Sequence, residues 1–282
     1  MKRWKMRLVF SFVGALLFSS PALAGPIFLT GHDPDFHAPG SLGAGNLLRT
    51  ALDFVTGGTA YDPFLHRFLW VEARIAPPLG HRVGENGLTA IGLQRGVHYE
   101  RVSAAELASV DFSSFSAIAV ASSFGGLLTR AELDALIARK DDIAAFVNSG
   151  GGLLALAECY PCGANLLSGP TAPDLFGFIP LDGVVSVATS GPYSVTSAGA
   201  FFGLAGADVN DPTHNAFGSS PSALTVLDVD VSNGLPVTLA GSVNISGGGF
   251  SGSGTSVPEP ATLALMGLGL FGLGMMGSRS KS

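Results

Sequence analysis

Charge is scarce in this chain: Asp, Glu, Lys and Arg together make up 13% of 282 residues. That excludes a charge-driven disordered polymer, and the 47% hydrophobic content calls for a sizeable buried core. Basic residues are the scarcer sign, 15 against 21 acidic ones. Nowhere do Lys and Arg run together with interleaved aromatics, so nothing is suited to neutralise a phosphate backbone and no nucleic-acid partner is expected. Cysteine is limited to Cys159 and Cys162, which excludes a disulfide-dense scaffold. No repeat of about 20–50 residues is visible, so a solenoid is not supported. The longest apolar runs sit at the two ends of the chain.

At the N-terminus, Lys2, Arg3, Lys5 and Arg7 precede an apolar stretch from Leu8 to Phe18, followed by Ala22-Leu23-Ala24. A basic start, a short apolar segment and small residues at its end are the parts of a secretory signal peptide, with cleavage expected between Ala24 and Gly25. Loss of residues 1–24 removes four basic residues and no acidic one, leaving 11 against 21 and a net charge of −10. The exported chain is therefore acidic, which favours solubility.

The stretch 25–240 has the length of one large domain, expected to be α/β with a parallel sheet. Pro26–Thr30 reads as a buried strand, and His32–Gly40 as a loop of turn formers. Leu47, Leu48, Ala51, Leu52 and Val55 recur at helical spacing before Gly57-Gly58, which predicts a helix over 42–55. Strands are expected within 64–75 and 97–102. The apolar run 115–121, a helix starting from a capping box at Thr129 and Glu132, and a second run at 153–157 form a strand-helix-strand crossover, which implies parallel pairing. After Pro180 short strands at 184–188, 193–196, 223–230 and 237–240 give a more β-rich second half. Residues 241–256, nearly all Gly, Ser and small polar residues, read as a flexible linker.

Several residues could carry chemistry. His32, Asp33, Asp35 and His37 crowd after the first strand, at the end where open parallel sheets bind ligands. With His214 they offer nitrogen and oxygen ligands for a divalent metal such as Zn²⁺, although Asp and Pro are also ordinary turn formers. No other cofactor is expected. Cys159 and Cys162 form a CxxC spacing, read as a structural disulfide in an oxidising compartment, with redox or metal chemistry as the lesser reading. Asp228 and Asp230 share a face of their strand, which a solvated edge explains. Asn244-Ile245-Ser246 has the pattern of a glycosylation sequon.

The C-terminus joins Val257-Pro258-Glu259-Pro260 to an uncharged span and then to Arg279 and Lys281. As a helix, residues 261–276 would reach about 24 Å at about 1.5 Å per residue, short for a hydrocarbon core of about 30 Å but tolerable where the bilayer thins. A transmembrane helix over about 261–277 is expected, with its basic end on the cytoplasmic side. The whole of 257–282 resembles the PEP-CTERM sorting signal of exported bacterial proteins. The resemblance implies recognition of Pro258, Glu259 and Pro260 by an exosortase-type membrane enzyme, a precursor held in the inner membrane, and a cell-surface or extracellular destination in a host that makes exopolysaccharide.

The run 115–157, with Phe146-Val147-Asn148-Ser149-Gly150-Gly151-Gly152 leading into Leu153–Ala157, resembles class I glutamine amidotransferase-like domains. That implies a flavodoxin-like parallel sheet. The cysteine of an active amidotransferase would align with Ala157, and the later His-x-Glu pair is missing, so the usual catalytic set is absent and no catalytic residue is assigned. The expectation is a non-catalytic binding or structural protein linked to exopolysaccharide; a divergent hydrolase using Cys159 and His214, or a metal-dependent one, is the alternative.

Overall fold

A computed structural model describes residues 24–72, 83–122, 130–156, 176–210, 215–219 and 221–245. The strands are β1 (Pro26–Thr30), β2 (Phe68–Val71), β3 (Tyr99–Val102), β4 (Ala117–Val120), β5 (Gly152–Ala155), β6 (Val185–Ala188), β7 (Tyr193–Val195), β8 (Asn215–Ser219), β9 (Thr225–Asp230) and β10 (Pro236–Ser242). The helices are α1 (Pro34–His37), α2 (Leu42–Val55), α3 (Glu85–Ala90), α4 (Ala104–Leu107), α5 (Arg130–Ala138), α6 (Lys140–Asn148) and α7 (Ser197–Phe201).

Eight strands form one sheet in the order β3-β2-β4-β5-β1-β10-β9-β7, and β6 pairs with β8 in a small second sheet. The first five of that order run parallel, whereas β10, β9 and β7 add an antiparallel extension. The strands β2, β4 and β5 are buried along their whole length, and their continuous apolar runs reflect cover on both faces, whereas Glu100 and Arg101 in the edge strand β3 are only half-buried. Side-chain alternation splits the core in two. Ile27, Leu29, Leu69, Ile118 and Leu153 face Leu133, Leu136, Ile143 and Val147 of α5 and α6. Phe28, Trp70, Ala119 and Leu154 face Leu47, Leu48 and Leu52 of α2. The helix over 42–55 forms as its periodicity predicts, started by Ser41 Oγ accepting from the Ala44 amide at 3.2 Å.

Three expectations change. The flavodoxin-like strand order is about 2-1-3-4-5; here β1 lies between β5 and the antiparallel β10. The loop over 32–40 contains the one-turn helix α1, whose first position is Pro34, where a missing amide costs nothing. The single helix expected between the capping box and Gly150-Gly151-Gly152 is two, α5 and α6, with Arg139 between them at φ −106° and ψ 19°. Its amide bonds Leu136 O, an i−3 contact, and its guanidinium reaches away to Leu107 O, Val110 O and the Phe112 ring. Thr129, the expected cap, lies outside the described residues.

The packed chain also extends beyond residue 240. β10 continues to Ser242, and Val243 and Ile245 are buried with Asn244 exposed between them. Asn148 holds this end from both sides: its Oδ1 accepts from the Ile245 amide at 2.6 Å and its Nδ2 donates to Ile245 O at 2.7 Å. The stretch begins with glycine and serine, yet Val243 and Ile245 supply the alternation that lets it pack. No helix among the described residues is long and apolar enough to cross a membrane, and the span at 261–277 lies outside them.

Candidate functional site

Parallel pairing brings the carboxyl ends of β1, β2 and β4 to one rim of the sheet, and each delivers a polar residue there. β1 leads to His32, Asp33 and Asp35, β2 to Glu72 and β4 to Ser122, all buried. This is the rim where open α/β sheets place ligands.

Asp35 is the most enclosed acid. Its Oδ1 accepts from the Phe36 amide and its Oδ2 from the Ser122 amide, both at 3.0 Å. Burial pushes its pKa up to about 7; the Ser122 amide pulls the other way, and the Asp33 and Glu72 charges add to the rise. The neutral acid is thus substantially populated at neutral pH. Gly84 is required beside it, because a Cβ there would lie 2.5 Å from Asp35 Oδ2 and 3.0 Å from the Trp70 ring.

Glu72 holds the same glycine by its amide. Its carboxylate accepts from Trp70 Nε1 at 2.6 Å, the Gly84 amide at 2.8 Å and the Glu85 amide at 2.9 Å. Burial raises its pKa, while those donors and Arg101 favour the ionised form. Glu72 therefore pins the start of α3. Glu85 is tied in turn to Arg95, Arg101 and the Tyr99 hydroxyl. Burial would raise its pKa, but these partners outweigh it and the carboxyl lies below its ordinary value.

His32 faces the antiparallel extension. Its Nε2 is 2.8 Å from Asp228 Oδ2, its ring meets Tyr193 edge-on at 5.2 Å, and its amide donates to Thr30 Oγ1. His37 Nε2 instead lies 3.3 Å from Asp33 Oδ1, one turn back on α1. The two imidazoles thus engage different carboxylates. Among the described residues no three His, Cys, Asp or Glu side chains are grouped to hold a metal ion. His214, which would complete the expected set, and Cys159 and Cys162 lie outside the described residues.

Asp228 and Asp230 do not line a solvated edge. β9 is flanked by β10 and β7, and both carboxylates are buried. Asp228 Oδ2 pairs with His32 Nε2, and Asp230 organises the following turn by accepting from the Ser232 amide and hydroxyl, Asn233 Nδ2 and Thr189. Burial would raise the Asp230 pKa, but these donors win and lower it. Glu72 and Ser122 were not singled out as site residues from the sequence, and Asp228 was read only as part of a solvated edge. The available signal was positional: Glu72 and Ser122 directly follow buried apolar runs.

At the opposite rim Gly25, the first residue expected after signal cleavage, is buried, and its amide donates to Val147 O at 2.7 Å. A Cβ there would stand 1.9 Å from Gly151 O, so only glycine fits.

Residues 256–280 match the PEP-CTERM protein-sorting motif, a segment that contains Pro258, Glu259 and Pro260 and lies outside the described residues. No curated protein and no solved structure matches the chain. The motif marks an exported protein, held transiently in the membrane and processed by an exosortase.

Proposed function

We propose that the α/β domain is a non-catalytic binding or structural component, delivered by the sorting motif to the cell surface or beyond and linked there to exopolysaccharide. One observation carries the non-catalytic reading. The imidazoles and most carboxylates at the ligand-side rim are each engaged by an internal partner: His32 by Asp228, His37 by Asp33, and Glu72 by the start of α3. Groups committed in this way brace the fold. The crossover from β4 through α5 and α6 to β5 supports the amidotransferase-like ancestry, while the place of β1 makes it a remote one. The exopolysaccharide link comes from the setting in which such sorting signals occur.

The hydrolase reading draws on Asp35, a buried acid that titrates near neutrality at a sheet rim. Co-sedimentation of the processed protein with exopolysaccharide from its own host, followed by sizing of the polymer, separates the two readings. Saturable binding with unchanged polymer length is expected. Shortened polymer would favour the hydrolase, and neither binding nor shortening would count against both.

A further inference from the structure

The proposed function leaves open where a saccharide would sit, and the ligand-side rim offers buried groups that are mostly paired internally, with Ser122 Oγ and His32 Nδ1 left without a hydrogen-bond partner among the described residues. The opposite rim is different. The amino-terminal ends of β1, β4 and β5 surround a cavity of about 410 Å³, and a second of about 280 Å³ lies against it. The two share Ser113, Phe146 and Ser149, so they adjoin in one groove.

The larger chamber is lined without any Asp, Glu, Lys or Arg. Its polar side chains are those of Thr56, His66, Ser113, Ser116 and Ser149. Three of these hydroxyls already donate inward: Thr56 to Leu52 O at 2.8 Å, Ser149 to Phe146 O at 2.7 Å and Ser113 to Asp111 Oδ1 at 2.7 Å. Their remaining capacity is to accept. The C-terminal ends of α2 and α6 flank the same chamber and add the partial negative charge of their last carbonyls. Ser116 Oγ is buried with no hydrogen-bond partner among the described residues. Phe115 and Phe146 supply apolar surface beside these acceptors.

Such a lining favours a ligand that brings hydroxyl donors and an apolar ring face; in the smaller chamber Asp111 and Asp142 outnumber Arg139, and that balance opposes an anion. We propose that this groove binds an uncharged oligosaccharide segment, its hydroxyls donating to the acceptors of the larger chamber and a ring face resting on the phenylalanines. The inference rests on the binding reading above and names its site and ligand class.

The test uses saturation-transfer NMR on the processed protein from its host, with cellotetraose and maltotetraose as neutral probes and tetragalacturonate as the acidic one. Signal from a neutral probe, little from the acidic one, and weakening of about tenfold or more in Ser113→Tyr and Ser149→Tyr are expected. Both positions are exposed, so filling them leaves the core intact; circular dichroism checks this. No neutral-probe signal, or a signal unchanged in both variants, would overturn the groove as the site. A stronger signal from the acidic probe would overturn the ligand class. Co-sedimentation with the host polymer reads the broader claim separately: wild type and both variants binding it equally would reject the groove while leaving the binding reading in place. Loss of co-sedimentation in the wild type would reject that reading itself.

Discussion

Asp35 shows how a single buried acid couples this fold to pH. Its folded pKa of about 7 exceeds the ordinary 3.8, so between those values the native state holds a proton that the unfolded chain has released. Stability contributed by that proton is complete below about pH 4, falls as pH rises, and is gone above about pH 7. The shift corresponds to on the order of 4 kcal/mol at most. Asp35→Asn, with one acceptor oxygen for the Phe36 and Ser122 amides, should lose one of the two hydrogen bonds and start less stable, yet show a flatter stability profile across that window in urea melts at stepped pH. Retention of the wild-type slope would assign the titration to another group. The His32–Asp228 contact predicts a second effect. Asp228→Ala strands a buried imidazole and should cost about 3 kcal/mol by denaturant unfolding, with Asp228→Asn milder because it keeps a partner for the ring. A cost under about 0.5 kcal/mol for the alanine variant would show that the contact braces nothing.

At the scale of elements, much of the architecture is written in hydrophobic spacing. The α2 helix follows from the spacing of Leu47, Leu48, Ala51, Leu52 and Val55, and β1, β2, β4 and β5 follow from continuous apolar runs. Other features depend on contacts that spacing does not encode. The break at Arg139 arises where a guanidinium finds carbonyls of a distant loop, and the burial of Asp228 and Asp230 follows from β9 being an inner strand. The site was legible in part: His32, Asp33 and His37 do sit at the ligand-side rim, but their pairing with different carboxylates depends on how β9 and α1 are placed. The packing of 243–245 was hidden by the glycine and serine around it. Asn148→Ala removes both bonds to Ile245 and should cost about 1–3 kcal/mol. Limited proteolysis should then cut earlier near residue 245 than in the wild type; an unchanged cleavage rate would show that Val243 and Ile245 hold this end without the asparagine.

For the whole molecule, the acidic exported domain and the C-terminal sorting motif divide the work between residence and delivery. Replacing Pro258, Glu259 and Pro260 together by alanine should leave the folded domain untouched and block processing, so that the host accumulates a membrane-bound precursor detectable by fractionation and immunoblotting. Release of the variant at the wild-type rate would remove these three residues from recognition. The most direct test of delivery by a cleaved sorting signal is the intact mass of the wild-type protein recovered from its native host. The mass expected is that of a chain beginning at Gly25 and ending upstream of Ser282, with any attached group adding to it; a recovered surface protein that still extends to Ser282 would contradict exosortase processing.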